Sequence, residues 1–106
     1  MRKQGLIVLF LILLFAGTGC YKNKSVPSAD FSWSDDSDSL HPHRVTFVNR
    51  SQNASSYEWT FGDNQSSTET SPVYLYPDSG YYDVLLKAYS DSKTEWAQKS
   101  QKIHVK

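Results

Sequence analysis

Few side chains in this sequence are reactive or ligating groups set close together, and they fall in three places. Asp35, Asp36 and Asp38 lie within four positions of one another with serines between. Clustered hard oxygen ligands on one segment are what a calcium ion requires. The spacing lacks the glycine and the distal bidentate glutamate of an EF-hand loop, so a solvated inter-strand loop without a metal is the expectation. His41, His43 and His104 are the three histidines, groups that serve acid–base or metal chemistry near neutral pH. No nucleophile stands in a setting such as Gly-x-Ser-x-Gly, and no cysteine is left to complete a ligand set. The sequence therefore predicts no catalytic residue and no cofactor, and the chain is not expected to be an enzyme.

The third place is Cys20, the sole cysteine. It cannot close an internal disulfide, so another use of the thiol is indicated. Residues 1–19 ahead of it run from Arg2 and Lys3 through the unbroken apolar stretch Leu6 to Ala16 into Gly17-Thr18-Gly19. That order is the charged, apolar and small-residue order of a signal peptide, and the apolar stretch is about half of what a spanning helix needs. Thr18, Gly19 and Cys20 resemble a bacterial lipobox, whose cysteine becomes a thioether to diacylglycerol and then the new N-terminus. Gly17 stands where an aliphatic residue is usual, and an ordinary signal peptidase has Ala16 and Thr18 to accept instead. Lipidation at Cys20 would make the membrane a partner, since two or more acyl chains anchor stably where one is marginal.

Charge narrows the remaining partners. The full chain holds 11 basic and 11 acidic residues, and losing Arg2 and Lys3 leaves nine basic against 11 acidic. No basic stripe exists for nucleic acid. Residues 20–28, the acylated cysteine and a polar stretch without periodicity, suit a short linker. Residues 29–106 allow one domain with a modest core, helped by an aromatic content of 14%.

Those elements must be strands. Beyond Ala29 no apolar spacing is helical, while period-two alternation recurs between turn residues. Strands are expected over 29–33, 44–49 and 56–61, over 72–76 as an edge, and over 81–89 and 95–105. Val45, Phe47 and Asn49 share one face of the second. Tyr57, Trp59 and Phe61 alternate with Glu58 and Thr60 in the third, putting three rings on one side, and Gly62-Asp63-Asn64 supplies a tight turn. Seven or so short strands predict an all-β sandwich.

The run Tyr57-x-Trp59-x-Phe61-Gly62-Asp63 resembles the central motif of polycystic kidney disease (PKD) domains. Val45-x-Phe47-x-Asn49-x-Ser51 before it, Pro72-x-x-x-Tyr76 after it and Gly80-x-Tyr82-x-Val84-x-Leu86-x-Ala88 agree with the same family. Asn64 replaces a common glycine and Tyr74 a common histidine. The resemblance implies an immunoglobulin-like β-sandwich of extracellular proteins, used as a spacer, an adhesion module or an accessory to carbohydrate-active and proteolytic enzymes. The motif residues then have structural work: rings fill the core, and Asp63 accepts hydrogen bonds that fix its turn.

For function the outward row Tyr81, Leu85 and Tyr89, joined by Trp96 on the last strand, is the candidate binding face, since exposed rings on a flat sheet stack on sugars or anchor a protein. The alternative is that neighbours such as Lys87 cover them. The expectation is a non-catalytic, lipid-anchored module of a gram-negative cell envelope that contacts a protein or polysaccharide. The other reading is a small accessory subunit of an envelope enzyme or nutrient-uptake complex. Tyr21-Lys22-Asn23-Lys24 lacks the acidic residues that follow the cysteine of some surface-exported lipoproteins, which favours the periplasmic side of the outer membrane.

Overall fold

The computed structural model describes residues 26–106; Cys20, the signal peptide and most of the linker lie outside the described residues. Seven strands follow in order: β1 (Phe31–Asp35), β2 (Arg44–Asn49), β3 (Ser56–Thr60), β4 (Ser66–Ser67), β5 (Val73–Leu75), β6 (Gly80–Tyr89) and β7 (Trp96–Val105). They form a three-stranded sheet in the order β1-β2-β5 and a four-stranded sheet in the order β4-β3-β6-β7, with every pairing antiparallel. The expected all-β immunoglobulin-like sandwich is the fold found.

Alternation along the strands decides what fills the space between the sheets. Val45 and Phe47 from β2, Trp59 from β3, Val84 and Leu86 from β6 and Ile103 and Val105 from β7 are fully or almost fully buried, joined by Phe31, Phe61 and Tyr76. The rings contact one another in tilted and edge-on geometries, with centroids 5.1 Å apart for Phe31 and Trp59 and 5.2 Å for Phe47 and Trp59. Such pairs add to the area burial that supplies most of the stabilisation. The Trp59 indole N–H donates to the Glu69 carbonyl at 2.9 Å, so its one polar group is satisfied. Tyr57, placed with Trp59 and Phe61 by its spacing, is only partly buried and packs at the margin of the core.

The first strand differs from the expected 29–33. It starts two residues later because the chain before Phe31 is bonded otherwise. Ser28 and Gln52 exchange backbone hydrogen bonds of 2.9 and 3.0 Å as an isolated bridge, and the Asp30 carboxylate accepts the Phe31 N–H at 2.9 Å. At its far end the ladder runs on through Asp35, opposite Val45. Strand β4, two serines opposite Trp59 and Thr60, carries no apolar signal and was not anticipated. β5 is an edge strand as expected, shortened to three residues.

Candidate functional site

Two constellations emerge from this frame, one inside the sandwich and one on its outer surface. The inner one is the turn after β3. Gly62 has φ of 91°, and a Cβ there would stand 2.7 Å from the Asp83 carbonyl oxygen, so only glycine fits. Asn64 follows in the left-handed region at φ 70°, which asparagine tolerates. Asp63 accepts the Gln65 N–H at 3.2 Å through Oδ1 and the Tyr74 hydroxyl at 2.5 Å through Oδ2. The Tyr74 ring stacks on Phe61 at 4.1 Å and 8°. Burial, and then the Asp63 carboxylate, push the Tyr74 phenol up to about 12. Tyr76 donates to the Phe61 carbonyl at 2.8 Å, and burial raises its phenol further. Tyr57, Trp59, Phe61, Gly62 and Asp63 thus build a core and lock a turn.

The aspartates and histidines of 35–43 do the same for a loop. Asp38 accepts the N–H groups of Leu40 and His41 at 2.9 and 2.6 Å and pairs with Arg44 at 3.2 Å. The bonds from His41 and Leu40, the one from the His41 N–H first, hold its carboxyl below the usual value. Asp35 accepts from Ser37 and from the Lys106 N–H at 2.8 Å. For Asp35 burial acts upward, and the bonds from Ser37 and Lys106 outweigh it. His43 donates to the Lys106 carbonyl at 2.9 Å. Among the described residues no group of three or more His, Cys, Asp or Glu is arranged to hold a metal.

The outer constellation lies on the solvent face of the four-stranded sheet. Residues directly opposite in an antiparallel pair share a face. The register sets Tyr81 against His104, Leu85 against Ser100 and Tyr89 against Trp96, so Tyr81, Leu85, Tyr89 and Trp96 do share one face. They do not form a continuous row. Tyr89 and Trp96 make one aromatic station, with the Lys87 ammonium 5.3 Å from the indole and the Tyr89 hydroxyl donating to Glu58 at 3.2 Å. Tyr81 makes a second by stacking on His104 at 4.5 Å and 13°. Eight residue steps along β6 separate them, about 26 Å at roughly 3.3 Å per residue, and half-buried Leu85 lies between.

Tyr81 is 68% exposed and Trp96 52%, so both stay largely open to solvent beside His104 and Lys87, whereas Tyr89 is partly buried. Beside the Tyr89 station a cleft of about 440 Å³ is lined by Ser56, Glu58, Thr68 and Lys93 among others, and the Ser56 hydroxyl is buried there without a hydrogen-bond partner. Sequence reasoning missed His104 as the partner of Tyr81. The turn read at 91–93 would have set Tyr81 against Ile103; the strands are instead closed by the Ser90 N–H on the Glu95 carbonyl, which shifts the register by one.

A two-sheet, seven-stranded sandwich with an aromatic core motif and rings displayed on one outer face is an immunoglobulin-like module. The particular family follows from comparison: the chain belongs to the PKD domain family, whose model matches residues 26–105. Among solved structures, the PKD1 domain of Vibrio anguillarum Epp is similar with a TM-score of 0.68 and 27% identity, over 79% of this chain and 98% of that one. The PKD1 domain of the Vibrio cholerae metalloprotease PrtV gives 0.64 and 30%, over 76% and 98%. A 51-residue stretch is 39% identical to collagenase ColA of Bacillus cereus, covering 48% of this chain and 5% of that protein's length. A chain from a study of carbohydrate-binding modules of the β-sandwich superfamily, at 24% identity and a TM-score of 0.58 over 80% of this chain and 35% of that one, shares the fold.

Proposed function

We propose that the chain is a non-catalytic module of a bacterial cell envelope, held at Cys20 by acyl chains in the outer membrane on its periplasmic side, that contacts a protein or a polysaccharide. The observation that carries the contact is the outer face of the four-stranded sheet, where Tyr81 and Trp96 stand exposed beside half-buried Tyr89, while the other large rings of the described residues are turned into the core or against it. An exposed ring offers a sugar ring or a protein side chain a large apolar surface at little conformational cost. The fold shared with the carbohydrate-binding-module chain is compatible with a glycan.

The test is affinity electrophoresis against a panel of envelope polysaccharides, together with pull-down from solubilised envelope. Loss of binding in Tyr81→Ala or Trp96→Ala, with unfolding curves unchanged, supports the face; unchanged binding in both removes it. A second reading is favoured by the similarity to a domain of a metalloprotease and to part of a collagenase: the module assists an envelope enzyme or uptake complex without chemistry of its own. Stable co-purification with an enzyme or transporter selects that reading.

A further inference from the structure

The two aromatic stations are not equivalent, because the chain leaves the sandwich at opposite ends. At the entry end, Asn53 donates its amide to the Val26 carbonyl at 3.3 Å, and the Ser55 N–H donates to the Tyr89 carbonyl at 2.8 Å. The β2–β3 loop and the β6–β7 turn there line one shared groove. Tyr89 and Trp96, opposite one another, flank that turn. At the exit end Lys106 is tied to Asp35 and His43, and Tyr81 with His104 stands beside it.

From this geometry we infer that the Tyr89–Trp96 station meets the head groups of the membrane, leaving the Tyr81–His104 station as the one that faces a partner. The inference rests on the reading that Cys20 is acylated. Six residue steps from Cys20 to Val26 bound the reach at about 20 Å, at roughly 3.3 Å per residue. The entry end is therefore held against the bilayer, and the exit end stands farther out by the length of β6. Trp and Tyr are the rings that settle at the head-group level, because an apolar body carries a polar N–H or O–H. Lys87 beside the indole adds an ammonium for phosphate. Asp91 and Glu95 in the same turn balance Lys93 and Lys87, leaving no net charge for a strongly anionic surface, so the lipid class that fits is a zwitterionic glycerophospholipid.

The sole cysteine makes the inference testable apart from cellular acylation. The chain from Cys20 to Lys106, which contains the whole sandwich, is coupled through its thiol to a maleimide phospholipid in phosphatidylcholine–phosphatidylethanolamine vesicles. Tryptophan emission is then read with and without brominated phosphatidylcholine. Brominated lipid is expected to quench the parental chain and to leave Trp96→Phe, which keeps only the inner Trp33 and Trp59, unquenched. The double variant Tyr81→Trp with Trp96→Phe is expected to remain unquenched as well. Equal quenching in the parental chain and Trp96→Phe, or quenching regained by a tryptophan at position 81, overturns the inference. So does an anchored Trp96 as open to aqueous iodide as in the uncoupled chain, which would leave that station free for a protein or glycan. Mass spectrometry of the full chain processed in bacterial cells is the separate arm. A free Cys20 there overturns the anchored reading and leaves the vesicle geometry as measured.

Discussion

Tyr74 shows how a single departure from a family pattern can be absorbed. Its ring stacks on Phe61 and its hydroxyl closes on Asp63, so it ties β5 to the turn after β3. The phenol is raised from 10.0 to about 12, meaning that the fold favours the neutral form. The stability this contributes is complete below pH 10 and is lost as pH rises towards 12. Alkaline titration followed by circular dichroism is expected to show that loss, and Tyr74→Phe to make it smaller while lowering neutral-pH stability by about 1 kcal/mol. Gly62→Ala is expected to cost more. It forces a side chain into φ of 91° against the Asp83 carbonyl, a strain of about 1–3 kcal/mol, readable as a lower urea midpoint. At this scale the sequence was informative about the motif's residue types, because rings at period two and a Gly-Asp turn have few structural solutions. It was silent on Tyr81 and His104, whose contact depends on a register fixed elsewhere.

Among the interior strands, β6 has the longest ladders, with β3 over Leu85–Tyr89 and with β7 along its whole length. Amide exchange is expected to be slowest over 85–89 and faster over 80–84, where only β7 pairs with it. A flat protection profile along β6 would contradict this pairing. The 36–43 loop is set by charge instead. Asp35 and Asp38 sit below their ordinary value of 3.8, so their contribution is full above that pH and falls away as pH drops through the lower folded values. Loosening of the loop and of the Lys106 tie, seen as lost His43 chemical-shift dispersion below pH 4, is the expected outcome. Long alternating strands were legible because a buried face and a solvent face impose period two. β4 and the start of β1 were not, since two serines and an aspartate are positioned by their partners' backbones and by side-chain bonds rather than by burial.

For the whole molecule, one core joins the sheets: Phe31 and Phe47 from one sheet contact Trp59 from the other. Loss of either sheet exposes the same cluster, so urea unfolding followed by tryptophan emission and by far-ultraviolet circular dichroism is expected to give coincident single transitions. Separated midpoints would mean that the sheets melt independently. The sandwich was legible from six strand segments separated by turn residues, and its solvent face from charged residues between apolar ones. The division of that face into two stations needed the strand lengths and the register. Chain entry and exit at opposite ends has a mechanical consequence. A pull between the entry end and anything attached beyond Lys106 enters through β1 and leaves through β7, which belong to different sheets. The load then crosses between sheets through side chains, among them the Gln101 amide on the Phe31 carbonyl and the Asp35 carboxylate on the Lys106 N–H. Tension acts as shear on the core, where many contacts must fail together rather than one rung at a time.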